Sequence, residues 1–186
     1  MTDAPRTALV LLFDGFEEIE ALTPVDLLSR AGVAVTLAGV DSAQAVTGRS
    51  GITVQLAHQL KDLTVQDFDC LILPGGPGIA NLRRHPLICQ TLAAHFQSGR
   101  TLGCICAAPL LLLDAGLLPG LQFTCHPSAE EELPDAQNKA VVLDQNCITA
   151  RGAGNALALS LALVRQMTNN EVAQSIARAI LPIFFS

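Results

Sequence analysis

Cys106 lies in Thr101-Leu-Gly-Cys-Ile-Cys-Ala-Ala-Pro109, where a short apolar strand gives way abruptly to a helix rich in Ala and Leu. A thiol at such a junction meets the free N–H groups and the partial positive charge of a helix N-terminus. Both favour the thiolate, the nucleophilic form of cysteine. A sharp strand-to-helix turn also exposes the attacking atom, as in the nucleophile elbow of hydrolases. The competing reading is a small thiol packed under a sheet, the usual fate of cysteine.

Three further features could work with that thiol. Glu20 ends Asp14-Gly-Phe-Glu-Glu-Ile-Glu20, a run that opens a helix. The helix dipole alone accounts for Glu17 and Glu18. On spacing alone Glu20 reads as a solvated helix residue. Facing a site it would be desolvated, its pKa raised, and it could then move a proton. His126 ends the apolar run Leu121 to Cys125 and precedes Pro127. Near a thiol it could stabilise a thiolate or relay a proton; otherwise it is structural. Pro74-Gly-Gly-Pro-Gly78 lacks the Lys-Ser/Thr of a phosphate loop, and no G-x-G-x-x-G pattern occurs. Gly75 and Gly76 could aim bare N–H groups into a cleft, as an oxyanion site needs, or could simply make a tight turn.

The other cysteines stand at 70, 89, 104, 125 and 147, with no Cys-x-x-Cys pair. Cys70, Cys89 and Cys147 read as core residues. Cys104, Cys106, Cys125 and His126 match no standard metal spacing, so no metal is expected. His58, His85 and His95 read as surface residues.

The elements that must position these groups alternate between strand and helix. Residues 8–13, 33–40, 69–73 and 101–105 are apolar runs of strand length, and 121–125, 140–143 and 146–150 read as strands too. Residues 17–31 have helical period, with Ile19, Leu22, Val25, Leu28 and Ala31 apolar; further helices are expected over 86–97, after Cys106, over 153–167 and over 170–180. Residues 44–58 read as a hairpin-like excursion. Alternating β and α units predict one α/β sandwich domain over residues 1–186, with a mostly parallel sheet and helices on both faces. Ligands of such sheets bind outside the carboxyl ends of strands, where the loops after Phe13, Leu73 and Ile105 carry the acids, the glycines and the thiol.

The chain has 186 residues, of which 50% are hydrophobic and 15% charged, as expected of strands buried on both faces. No apolar run is long enough for a membrane span, and the first residues lack the features of a signal peptide, so a cytoplasmic location and free thiols are expected. The net charge of −6 and the lack of a basic stripe argue against nucleic acid as a partner.

Five landmarks then occur in order: Gly15-Phe-Glu-Glu-Ile-Glu20 with Pro24-Val-Asp26, Leu73-Pro-Gly-Gly76, Cys104-Ile-Cys-Ala-Ala-Pro109, Thr124-Cys-His-Pro127 and Ala150-Arg-Gly-Ala-Gly154. With them the chain resembles the ThiJ/PfpI family over nearly its whole length, in the branch of Parkinson disease protein 7 and its ThiJ-like bacterial relatives. The resemblance implies a flavodoxin-like three-layer sandwich, similar to class I glutamine amidotransferases, that forms homodimers and uses no cofactor. It implies that Cys106 is the reactive cysteine on a strained elbow, that Glu20 hydrogen-bonds its thiolate, and that His126 is the nearby histidine. The N–H groups of Gly76 and Ala107 would form the oxyanion site. Arg49 would correspond to an arginine that crosses the dimer interface towards an acid such as Glu17.

Departures from the family pattern narrow the branch. Ala107 stands where family proteases place histidine, and the His-x-Glu pair of amidotransferases is absent, so neither activity is expected. Ala108 replaces a glycine found in many relatives. The implied function is that of a glyoxalase or deglycase acting on small reactive aldehydes, or on early glycation adducts, through a Cys106 hemithioacetal. The alternative is an oxidative-stress sensor or redox-regulated chaperone in which Cys106 is oxidised to sulfinate.

Overall fold

The computed structural model describes residues 6–41 and 44–180. Its main sheet has seven strands in the order β5-β2-β1-β6-β7-β9-β8. These are β1 (Thr7–Leu12), β2 (Ala34–Gly39), β5 (His58–Gln59), β6 (Cys70–Leu73), β7 (Thr101–Ile105), β8 (Val141–Asp144) and β9 (Cys147–Ala150). All neighbouring pairs are parallel except β8 with β9. Ala8 to Leu12 of β1 are wholly buried, as are Cys70 to Leu73 of β6, because helices cover both faces of the sheet. The expected hairpin is present as β3 (Ala45–Thr47) with β4 (Thr53–Gln55), and it forms a separate two-stranded sheet.

The helices are α1 (Glu18–Arg30), α2 (Ile79–Leu82), α3 (Pro86–Gln97), α4 (Pro109–Asp114), α5 (Ala156–Met167) and α6 (Asn170–Ile180). Helix α1 packs on α5, which also covers β7 and β9, while α3 packs on α4. From β1 the chain moves outward to β2 and later returns to lay β6 on the other side of β1. That reversal opens a crevice at the carboxyl ends of β1 and β6, and β7 adds its own end beside them.

Three expectations are corrected. Leu121 to Cys125 is not a strand. Strand β9 is already bonded by β7 and β8, so it has no free backbone edge to offer this segment. The segment is instead anchored by side chains, with Thr124 N–H donating to Thr149 Oγ1 at 2.9 Å and Gln122 N–H to Asp144 Oδ2 at 2.8 Å. His95 is not on the surface but wholly buried, with Nε2 at 2.9 Å from the Thr101 carbonyl oxygen. Burial, ahead of its hydrogen bonds, holds its pKa below the usual histidine range. Helix α1 does not bury the expected face: Glu20, Ala21, Pro24, Leu27 and Leu28 are buried, whereas Ile19 is 55% and Leu22 36% exposed.

The terminal apolar run Leu181-Pro-Ile-Phe-Phe185 lies outside the described residues. Among the described residues no helix is long and apolar enough to cross a membrane.

Candidate functional site

Strand β7 delivers Cys106 to the crevice. The Cys106 N–H extends the ladder by donating to the Ala150 carbonyl at 2.9 Å, and the Cys106 carbonyl accepts from His126 N–H at 2.8 Å. Between these anchors Cys106 takes a φ of 64°, a left-handed conformation that holds about 1–3 kcal/mol of strain in a residue with a side chain. The turn ends the strand and swings the thiol off the sheet face that Cys104 occupies. Cys106 is half-buried and lines the crevice, while Cys104 is wholly buried.

Glu20 reaches the thiol from the buried face of α1. Its Oε2 accepts the Gly75 N–H at 2.7 Å, its Oε1 is buried without a hydrogen-bond partner, and the carboxyl lies close enough to the Cys106 thiol for each to shift the other's pKa. A Cβ at Gly75 would sit 2.7 Å from Cys106 Cβ and 2.8 Å from Glu20 Oε2, so only glycine lets thiol and acid meet there. Gly76, at φ 109°, has no room for a Cβ either, which would strike the Gly15 carbonyl and the Glu17 nitrogen. The expectation of two free glycine N–H groups is therefore corrected by one, since the Gly75 N–H is taken by Glu20. The N–H groups of Gly76 and Ala107 lie near enough to the Cys106 sulfur to favour its ionised form.

Burial raises the Glu20 pKa from 4.5 to about 7, against the opposing pull of the Gly75 N–H and the Cys106 thiol. The thiol is pushed up to about 12, first by burial, then by the Glu20 carboxyl. Gly76 and Ala107 N–H pull it the other way and are outweighed. Burial and the Glu20 carboxyl thus work against the thiolate that the helix terminus favours. Thiol and acid share one proton economy, in which a negative charge on either disfavours ionisation of the other.

His126 is half-buried and lines the same crevice. Its Nδ1 accepts the Ser128 N–H at 3.1 Å and lies 2.8 Å from Ser128 Oγ. The crevice encloses about 460 Å³ between Glu20, Gly76, Cys106, Ala107, His126 and Ser128. Its rim carries two ion pairs. Arg49 Nη1 meets Glu17 Oε2 at 3.1 Å within the chain. Arg83 is held by Asp114 at 2.7 Å and by Glu132 at 2.8 Å.

Sequence reasoning thus picked out Cys106, Glu20, His126, Gly76 and Ala107, and the fold brings all five to one crevice. It missed Arg83, Glu132 and Ser128, for which neither spacing nor composition gave a signal. Among the described residues no group of three or more His, Cys, Asp or Glu is placed to hold a metal.

The model of the DJ-1/PfpI family matches residues 6–166. The chain belongs to the DJ-1/PfpI family. Among relatives, Protein dj-1beta of Drosophila melanogaster is 33% identical over 95% of this chain and 97% of its own length. The crystal structure of that DJ-1beta covers 96% of this chain and 98% of its own, with a TM-score of 0.89. The Parkinson disease protein 7 homolog of Danio rerio is 34% identical over 93% of this chain and 95% of its own length. A protein of Caenorhabditis elegans named glutathione-independent glyoxalase DJR-1.2 is 32% identical over 95% of this chain and 97% of its own length. The flavodoxin-like architecture expected from the sequence is that of these DJ-1 proteins.

Proposed function

We propose that this DJ-1/PfpI protein is a cysteine-dependent, cofactor-free enzyme acting on small reactive aldehydes or their early glycation adducts. The observation that carries the reading is the buried Glu20 carboxyl set beside Cys106 in one crevice, with its Oε1 left without a hydrogen-bond partner. A C. elegans relative of similar length named a glutathione-independent glyoxalase supports it.

Methylglyoxal is a dicarbonyl of this kind. The sulfur adds to the aldehyde carbon while its proton passes to Glu20, so no free buried thiolate has to persist. The aldehyde oxygen regains a proton to give a hemithioacetal. Glu20, having passed the thiol's proton to that oxygen, then takes the hydrogen of that carbon as a proton and returns it to the neighbouring carbonyl carbon, while the hydroxyl proton passes to that carbonyl's oxygen, which turns the hemithioacetal into a thioester of a hydroxy acid. Water cleaves the thioester, releases the hydroxy acid and restores the thiol. A pKa of about 7 suits Glu20 to both giving and taking a proton near neutral pH. The test is steady turnover of methylglyoxal by the purified protein. Loss of turnover in Cys106→Ser is expected; unchanged turnover would refute the reading.

The second reading, a redox sensor, rests on the same donors. Gly76 N–H, Ala107 N–H and a protonated Glu20 could hold the oxygens of a Cys106 sulfinate. It predicts stoichiometric oxidation with no turnover.

A further inference from the structure

The Ser128–His126 pair fixes a proton that the proposed chemistry has left unassigned. A backbone N–H can only donate, so the Ser128 N–H at 3.1 Å makes His126 Nδ1 an acceptor. Ser128 Oγ, at 2.8 Å, can turn its hydrogen to the same atom. The ring hydrogen of neutral His126 is then on Nε2. A reversed ring would give up both Ser128 contacts and set a ring C–H against the Ser128 N–H. The ring lines the crevice, and Nε2 is the nitrogen left for a bound molecule.

We infer that Ser128 is a positioning residue that holds His126 as an Nε2–H donor, so that His126 hydrogen-bonds the oxygen of a bound carbonyl and does not take a proton from carbon. This rests on the glyoxalase reading for its substrate, but the tautomer itself does not. In the isomerisation, negative charge develops on the oxygen of the carbonyl next to the hemithioacetal carbon. A donor there stabilises it, while proton transfer at carbon is left to Glu20.

Two measurements on the whole chain test the inference. With 15N-labelled histidine at about pH 8, long-range 1H–15N spectra should show His126 with a protonated Nε2 and an acceptor Nδ1. The His126 signals are assigned by their loss in His126→Gln. The reverse pattern, or a mixture of tautomers, overturns the inference. In methylglyoxal turnover, His126→Gln can still present an N–H near the position of Nε2, whereas His126→Ala cannot. The alanine variant should lose about 100-fold, as on removal of an oxyanion donor, and the glutamine variant at least about tenfold less. Equal losses overturn the donor role. Wild-type protein that turns over no aldehyde yet shows the Nε2–H pattern refutes the proposed function alone, and the donor assignment then stands on the spectrum.

Discussion

Glu20→Gln should make the protein more stable at neutral and alkaline pH, and the size of the gain follows from the burial of the acid. Glu20 is wholly inaccessible to solvent, and its pKa rises from 4.5 to about 7. The folded state thus holds its proton more tightly than the unfolded chain does. Below pH 4.5 both states are protonated and Glu20 adds no pH dependence. Between 4.5 and 7 the unfolded chain ionises first, so stability falls as pH rises. Above 7 the loss is complete, at about 3 kcal/mol as an upper figure. Glutamine has nearly the same shape, can accept the Gly75 N–H, and does not titrate. The two proteins should therefore be similar near pH 4.5 and diverge up to pH 8. At pH 8 the variant should melt up to about 6–12 °C higher for a domain of this size. Calorimetry or urea unfolding of both proteins across that range gives a difference curve in which the groups not coupled to Glu20 cancel. Parallel profiles from pH 4.5 to 8 would show that Glu20 ionises as easily folded as unfolded, and the burial argument would fail.

Other outcomes follow from the same geometry. Iodoacetamide should label Cys106 before the other thiols, since Cys70, Cys104, Cys125 and Cys147 are buried; Cys89, half-buried on α3, is the competitor, and its labelling first would defeat the elbow argument. Removing the Glu20 charge should lower the Cys106 pKa, so Glu20→Gln should label several-fold faster at about pH 8 even as aldehyde turnover is lost. Mild peroxide should add two oxygens to Cys106; a loss of two hydrogens mapped to Cys104 and Cys106 would instead make Cys104 a resolving thiol. Ile19, Leu22 and Ile52 are exposed on α1 and beside the β3–β4 hairpin, a surface that a second copy would cover. Sedimentation at micromolar concentration should show a homodimer, and Ile19→Glu should weaken it; a wild-type monomer would count against that assembly.

Much of this architecture was legible before any coordinates. Apolar runs of strand length and helical periods gave the order of elements, because burial on both faces leaves its mark along the chain itself. The abrupt change at Cys106 marked the elbow, since a strand that must become a helix at once has few ways to turn. The motifs that led to the family identified Glu20 and His126 as partners of the thiol.

What only the tertiary structure decided was direction and occupancy. A helical period tells which residues share a face, not which face turns inward. For α1 that choice was made by packing on α5 and by the docking of Glu20 against Gly75, which left Ile19 in solvent. Likewise, Leu121 to Cys125 has strand-like composition, yet the edge of β9 was already taken by β8. His95 looked like a surface residue because its partner, the Thr101 carbonyl, lies on a strand beneath α3. The raised pKa values have the same origin. A local helix terminus favours the thiolate, but burial and a carboxyl brought from a helix more than 80 positions away in sequence outweigh it. Local propensity is written along the chain, whereas desolvation and charge proximity depend on which distant segments exclude water together.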